Sequence, residues 1–140
     1  MKPIEFKEQN IIIAEKQDEY ENLPAHIGDC DNVVFFCNKL TQKEIKDIEN
    51  KGILEIKVLC FNNVPQPISV MLNKPKFPID SKQFTYTVNP VKYEDFDGNK
   101  NHVATFVFKL GESHIKTLKL KNIIYIACLT RGEKLQPFKL

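Results

Sequence analysis

Apolar and polar residues follow two regular patterns along the chain, and each pattern predicts one kind of element. Val33-Val34-Phe35-Phe36 is a short run of β-branched and aromatic residues, which predicts a strand. In residues 42–51, Ile45 and Ile48 form a narrow apolar stripe among charges, which predicts an amphipathic helix. Residues 53–61 are again mostly apolar and predict a second strand. The expected order is therefore strand, helix, strand.

The ends of this predicted helix carry their own signals. Thr41 and Glu44 have the spacing of a capping box, in which each side chain accepts a hydrogen bond from the other residue's backbone N–H. Gly52 follows the helix at the position that favours left-handed backbone. Glu55 and Lys57 are then expected on the more solvated face of the second strand.

A turn and an extended tail are expected after the second strand. Asn62-Asn63 tolerates positive φ and can turn the chain. Pro65-Gln66-Pro67 should then run extended along an edge, where the missing proline donors do no harm.

The chain also resembles itself at an offset of 70 residues. Residues 32–68 align with residues 102–138 without a gap, and 12 of the 37 pairs are identical. Chance pairing at ordinary residue frequencies would give about two or three identities. The pattern predicts an internal duplication. The identical pairs are Val33/Val103, Phe36/Phe106, Lys39/Lys109, Leu40/Leu110, Ile45/Ile115, Lys46/Lys116, Lys51/Lys121, Ile53/Ile123, Ile56/Ile126, Leu59/Leu129, Gln66/Gln136 and Pro67/Pro137.

The second copy repeats the order with weaker local signals. Residues 103–110 predict a strand, Gly111 replaces the threonine cap, and Asn122 replaces Gly52 at the left-handed position. Residues 115–120 also fit a near-alternating pattern, so this helix could be shorter or replaced by a strand. Residues 123–129 carry no charge and predict a central strand covered on both faces.

The remaining segments complete an expected α+β fold of two pseudo-repeated strand–helix–strand units. Residues 10–14 predict a strand, and the alternation of residues 84–88 predicts a half-buried one. Residues 71–80 are the expected connector between the halves. Each unit should end in an extended tail of the Pro-Gln-Pro type, and the two units should pack as one compact protein, since neither could bury a sufficient core alone.

Charge divides the chain at the same midpoint. Residues 1–70 hold 8 lysines against 12 acidic residues, a net charge of −4, whereas residues 71–140 hold 11 lysines and Arg131 against 6 acidic residues, a net charge of +6. Opposite signs favour two lobes that attract each other, or one lobe that faces an acidic partner. We therefore expect an acidic first half and a basic second half.

Composition and motifs favour a soluble, non-enzymatic protein. Of the 140 residues, 42% are hydrophobic and 27% charged, and no apolar run reaches the roughly 18 residues of a membrane span. The N-terminus lacks the apolar core of a secretory signal, so a cytoplasmic location is expected. Phosphate-binding loops and hydrolase motifs are missing from the sequence, and we expect no cofactor and no catalytic residues.

The four cysteines and the acidic residues near position 97 do not indicate a disulfide framework or a metal site. The cysteines are scattered and form no C-x-x-C pair, so reduced thiols are expected. His26, Cys30 and Cys37 could supply metal ligands, but they lack the close cysteine pair of a zinc site, and we expect no metal. Asp97-Gly98 is expected to turn a hairpin rather than bind calcium.

The basic second half supplies the candidate binding residues, which are Lys116, Lys119, Lys121 and Arg131. If they share one face they could contact phosphates or an acidic protein, and Tyr86, Tyr93 or Phe96 could stack on bases. Because arginine is the usual base-reading residue and only one is present, sequence-specific DNA recognition is not expected.

Five stretches of the first half resemble a known group of proteins. They are residues 13–20, Leu23-Pro24-Ala25, residues 37–41, Gly52-Ile53, and Phe61 with Pro65-Gln66-Pro67. Over residues 8–76 the chain is similar to short uncharacterised proteins encoded by bacteriophages, prophages and other mobile elements of bacteria. The resemblance implies an accessory protein that binds and modulates a host macromolecule, with defence inhibitors such as anti-CRISPR proteins among the possibilities.

Three functional hypotheses follow. The first is a protein that docks on a host or phage protein in the host cytoplasm, through the surface between the repeats and the Pro-Gln-Pro edges. The second is a nucleic-acid-binding accessory protein that uses the basic half. The third is a structural component of a virion. Two similar sheet edges would also allow self-association.

Overall fold

The computed structural model describes residues 1–16, 22–28, 33–61, 65–95 and 102–129. The fold is mixed α and β, with nine strands in two antiparallel sheets and two helices among these residues. The strands are β1 (Lys2–Ile4), β2 (Ile11–Ile13), β3 (Leu23–Ile27), β4 (Val33–Lys39), β5 (Ile53–Phe61), β6 (Ile68–Met71), β7 (Lys92–Asp95), β8 (His102–Lys109) and β9 (Ile123–Leu129). The helices are α1 (Gln42–Lys51) and α2 (Glu112–Lys121), and a short 3₁₀ helix spans Ser81–Gln83.

The predicted strand–helix–strand order of the first half is confirmed as β4, α1 and β5. Thr41 Oγ1 accepts a hydrogen bond from the Glu44 N–H at 3.2 Å, and Glu44 Oε1 accepts one from the Thr41 N–H at 2.9 Å. The N-terminal amino group of Met1 also forms an ion pair with Glu44. Ile45 and Ile48 are the buried residues of α1, as its apolar stripe predicts.

The second half forms β8, α2 and β9, so the predicted helix is present at full length and the alternative strand is wrong. Gly111 precedes α2 in extended backbone, and its N–H donates to His114 Nδ1 at 3.2 Å. Leu118 is the one residue of α2 that is fully buried. A helix is favoured over a strand here because the helical period places Leu118 in the core while the charged residues on either side of it reach solvent.

The two sheets divide the strands unequally. The first sheet has the order β2-β3-β4-β9-β6, and β1 also pairs with β4. The second sheet has the order β5-β8-β7. β9 therefore lies between two strands, as predicted for a central strand, whereas β5 is an outer strand of its sheet among the described residues.

Each strand–helix–strand unit pairs its strands with those of the other unit. Phe36 of β4 lies opposite Ile126 of β9, and Ile56 of β5 lies opposite Phe106 of β8. The two pairs are equivalent under the 70-residue offset, since Phe36 aligns with Phe106 and Ile56 aligns with Ile126. The same equivalence holds for the neighbouring pairs along both ladders. The two long ladders thus share one register.

The main core collects side chains from both sheets and both helices. Its fully buried members include Phe36, Ile56, Phe106, Leu118, Ile126 and Cys128. Burial of so many large apolar side chains from both halves is the main stabilising contribution to the fold.

A second apolar cluster covers the outer face of the first sheet. Phe35 and Cys37 of β4 are buried there against Phe77 and Ile79, which belong to the segment between β6 and the 3₁₀ helix. Residues 71–80, predicted as a connector, thus also form part of this cluster through Phe77 and Ile79. The Phe35 and Phe77 rings meet edge to face with centroids 5.4 Å apart. Lys74 pairs with Glu8 beside this cluster.

One prediction about an extended segment is wrong, and a second holds only in part. Residues 84–88 form no strand, and only Thr87 makes an isolated bridge, to Ile68. Val88 is 49% exposed, so the half-buried face that the alternation predicted is limited to Phe84 and Tyr86. The alternation reflects Phe84 packing against the outer cluster, not strand pairing.

The first Pro-Gln-Pro tail leads into β6, the last strand in the order of the first sheet, so it lies at a sheet edge as predicted, but that edge is not exposed at Gln66 and Pro67. Gln66 and Pro67 are both buried. The Pro67 carbonyl accepts from the Leu129 N–H at 3.0 Å, and Gln66 Oε1 accepts from the Cys128 thiol at 3.0 Å. The predicted turns at Asn62-Asn63 and Asp97-Gly98 lie outside the described residues.

Candidate functional site

Helix α2 presents the three described lysines of the predicted binding set. Lys116, Lys119 and Lys121 are all exposed, while Arg131 lies outside the described residues. At about 100° per residue, Lys116 and Lys119 are about 60° apart around the helix, and Lys121 is about 140° from Lys116. The three ammonium groups therefore do not share a single face.

Two of these lysines are engaged within the protein. Lys119 forms an ion pair with Glu49 of α1, and Lys121 Nζ donates to Asn73 Oδ1 at 2.7 Å. Within the ranges that the structure describes, Lys116 has no such partner. The positive charge available to a ligand on α2 is thus smaller than the sequence suggests.

Three exposed apolar or aromatic side chains lie on β7, the outer strand of the second sheet, or among the four residues before it. We call Val88, Val91 and Tyr93 the rim surface; their exposed fractions are 49%, 63% and 46%. The Tyr93 ring stacks on His102, with centroids 4.7 Å apart and planes 9° from parallel. Partial burial, with the Cys60 thiol contributing, raises the pKa of Tyr93, so this phenol stays neutral at physiological pH.

The sequence singled out Tyr93 but missed the valines beside it. Of the three aromatic residues predicted to stack on bases, Tyr93 is exposed, the Tyr86 hydroxyl is buried, and Phe96 lies outside the described residues. Val91 follows Pro90 and precedes a four-residue strand. Proline is typical of edge strands, so Pro90 was the signal in the sequence that could have predicted an exposed position at Val91.

The described thiols are poor nucleophiles. Burial raises the pKa of Cys37 to about 12 and also raises the pKa of Cys60 and Cys128. Because the thiolate is the reactive form, these side chains behave as small apolar residues at neutral pH. The three are free cysteines, and Cys30 lies outside the described residues.

Of the three residues that could have held a metal ion, His26 and Cys37 are described, and each has contacts within the protein. His26 Nδ1 lies 2.6 Å from the Glu8 carbonyl oxygen, and its ring contacts Phe77 edge to face. Cys37 is buried in the outer cluster. In the described part of the chain, no three His, Cys, Asp or Glu side chains converge as metal ligands would.

Asn38 is a buried polar residue that the sequence reasoning did not identify. Its side chain is fully buried, and neither its amide nitrogen nor its amide oxygen has a hydrogen-bond partner. Leaving a buried amide unpaired costs free energy. It lies near the end of β4, between Cys37 and the exposed Lys39, and no feature of the sequence marks it as different from a strand residue facing solvent.

The chain was compared with protein families, curated proteins and solved structures. No family model, curated protein or solved structure matches it. Neither described helix has the length and apolar character needed to cross a membrane.

Proposed function

We propose that the chain is a small accessory protein of a bacteriophage or other mobile element that binds a host protein and modulates it. The provenance rests on the resemblance over residues 8–76, and inhibition of a defence system such as CRISPR belongs to the same proposal. We further propose a binding role without catalysis, in the cytoplasm of the host cell.

The observation that carries the proposal is the rim surface. Val88, Val91 and Tyr93 expose apolar and aromatic area on or just before β7, the outer strand of its sheet. Tyrosine contributes a large contact area at a low cost in side-chain entropy and is enriched at protein interfaces. Stacking on His102 holds the Tyr93 ring in place and so lowers the entropy that a partner must offset.

The test compares affinity capture from a bacterial host lysate by three proteins. Val91→Asp places a charge on the rim surface, and Leu120→Asp, on α2, is the matched control because Leu120 is 79% exposed and distant in sequence. We expect the unchanged chain and Leu120→Asp to capture one stoichiometric protein that Val91→Asp loses. Equal loss by both variants would contradict the assignment of this surface, and capture of no protein by the unchanged chain would contradict protein binding.

Nucleic-acid binding by the basic half is the second proposal. It is supported by the exposed lysines of α2 and by the half-exposed Tyr93 ring, since bases stack on aromatic faces and phosphates attract lysines. Replacing Lys116, Lys119 and Lys121 by Glu should abolish salt-sensitive binding to single-stranded DNA or RNA. A lack of measurable binding by the unchanged chain at low salt would contradict this proposal.

A structural role in a virion is the third proposal. It is supported by the resemblance to phage proteins and by the predominance of strands. Mass spectrometry of purified particles would detect the chain if it is packaged, and its absence from them would exclude this role.

We also propose that the two strand–helix–strand units arose by duplication. The support is the shared register of the β4–β9 and β5–β8 ladders, together with the equivalent left-handed ends at Gly52 and Asn122. The charges then changed in one copy, which accounts for an acidic and a basic half. Self-association through sheet edges remains part of this proposal, and the concentration dependence of the sedimentation coefficient would test it.

A further inference from the structure

A cleft lies where β6, in the first sheet, and β8, in the second, come to an end. Its volume is about 420 Å³, and its apolar walls are Val70, Leu72, Phe108 and Leu110. Each of these four side chains is partly buried and packs against the main core. Small-molecule sites in proteins are concave, mostly apolar and about 300–1,000 Å³ in volume. The cleft therefore has the size and the walls of a site for a small apolar ligand.

The charged groups around this cleft are cations. Lys109 and His114 line it, and Asn73, a third lining residue, accepts a hydrogen bond from Lys121 Nζ at 2.7 Å. None of the lining residues, all of which the structure describes, is acidic. A negatively charged group on a ligand would therefore meet complementary charge here.

The hydrogen bond at the start of α2 fixes which nitrogen of His114 can donate. The Gly111 N–H donates to His114 Nδ1 at 3.2 Å, so Nδ1 is the acceptor of the ring. An imidazole with Nδ1 as acceptor carries its hydrogen on Nε2. Nε2 can therefore donate to a carboxylate oxygen, but it cannot accept from an ammonium group.

The aligned position of the first half has the opposite preference. Glu44 is the counterpart of His114 at the 70-residue offset, and it lines a separate cleft together with Met1 and Leu40. Met1 packs against the main core while its amino group pairs with Glu44. With a carboxylate at this position, the first half holds an apolar group that carries an ammonium group. The Nε2 donor of His114 in place of that carboxylate reverses the charge of the group that fits.

We propose that the cleft between β6 and β8 binds a small amphiphilic carboxylate, a molecule with an apolar body and one carboxylate group. The apolar body lies against Val70, Leu72 and Phe108, and the carboxylate accepts from His114 Nε2 and faces the ammonium group of Lys109. Burial of the body supplies most of the affinity, whereas the polar groups select the charge. The cleft is separate from the rim surface, so this site does not depend on the proposed binding of a host protein.

Octanoate is the probe, and octylammonium, which has the same chain with the opposite charge, is its comparison. Titration of each into the isotope-labelled full chain, followed by amide chemical shifts, gives both the affinity and the place of binding. We expect saturable binding of octanoate, at least about tenfold tighter than that of octylammonium, with the largest shifts at Leu72, Phe108 and Leu110. No saturation by about 10 mM octanoate, equal affinities for the two probes, or largest shifts at the rim surface would each overturn the proposal.

His114→Glu gives the second half the residue that the first half has at the aligned position. Glu44 Oε1 accepts from the Thr41 N–H at 2.9 Å, and the new carboxylate can accept from the Gly111 N–H in the same way, so α2 should keep its start. The variant should bind octanoate at least about tenfold more weakly than the unchanged chain and octylammonium more tightly. An unchanged order of the two affinities would overturn the proposal.

Ser113→Glu is the matched control, because it adds a carboxylate in the same turn of α2 at an exposed residue that does not line the cleft. Its affinity for octanoate should stay within about twofold of that of the unchanged chain. Equal losses in the two variants would reveal a general effect of charge and overturn the proposal. If the amide spectrum shows that His114→Glu does not fold, Lys109→Gln at the exposed end of β8 takes its place. It should weaken octanoate binding at least about threefold, and an unchanged affinity would overturn the proposal.

Discussion

Gly52 and Asn122 end the two helices with left-handed backbone, at φ angles of 69° and 59°. Their N–H groups donate to the carbonyls of Ile48 and Leu118 at 2.7 and 2.8 Å. Both residues were predicted for this role, and the structure confirms it. Only glycine adopts this conformation without steric cost, and asparagine tolerates it better than most other residues.

Replacing Gly52 by Ser should lower the free energy of unfolding by about 1 kcal/mol. A Cβ at Gly52 would meet no atom within 4 Å, so the cost is conformational and not steric crowding by neighbours. Gly111→Ser is the control, because Gly111 caps α2 at φ −82°, a conformation that serine adopts readily. Urea denaturation of both variants should show a loss for the first and none for the second; an equal loss would contradict this explanation.

Helices α1 and α2 meet so that the start of one lies beside the end of the other. Gln42 Nε2 donates to Asn122 Oδ1 at 3.3 Å, and Glu49 of α1 pairs with Lys119 of α2. Glu49 and Lys119 are aligned positions of the 70-residue offset. A duplicated chain with the same charge at both positions would carry a repulsion here, and the opposite charges remove it.

The charge pair predicts a particular pattern in a double-mutant cycle. Glu49→Lys should destabilise the protein by about 0.5 kcal/mol, since both side chains are about half exposed and the interaction is screened. Combining it with Lys119→Glu should recover most of that loss. Thermal unfolding at low salt measures the four proteins, and a double variant as unstable as the sum of the single changes would exclude the pairing.

At the scale of the whole molecule, each half supplies the pairing partners for the longest strands of the other. β4 pairs with β9 and β5 pairs with β8, so both long ladders join residues before position 70 to residues after it. The outer faces of the sheets differ: Phe35 and Cys37 are covered in the first sheet, whereas Glu55 and Lys57 of the second are exposed. Because the long ladders pair strands of different halves, each half depends on the other for its pairing. The outer face of the first sheet is apolar and covered, whereas that of the second carries exposed charges.

Separated halves should therefore not fold. We expect residues 1–70 and residues 71–140, prepared as two peptides, each to give the circular dichroism of an unfolded chain, because each lacks the partners of its longest strands. An equimolar mixture should regain the signal of the intact protein with a concentration-dependent midpoint. Cooperative unfolding of either peptide alone would show that it is an independent domain.

The sequence by itself determined the elements whose signals are local. The capping box of α1, its terminal glycine and its two buried isoleucines lie within 12 consecutive residues, and the structure confirms the helix at the predicted bounds. The uncharged run of β9 predicted a central strand in the same way, since a strand without charges requires cover on both faces. Such signals depend on backbone hydrogen bonds and side chains a few residues apart.

Only the tertiary structure decided which segments have partners. Residues 84–88 alternate like a strand, but only Thr87 bridges to a neighbour. Pro67 lies at a sheet edge as predicted, but its carbonyl accepts a hydrogen bond from β9 and the residue is buried. The sequence predicts a basic cluster on α2, but Glu49 and Asn73 engage Lys119 and Lys121, and Lys121 lies about 140° around the helix from Lys116. Strand pairing, burial and ion pairing depend on groups distant in sequence. These groups come together only when the strands of one half pair with those of the other.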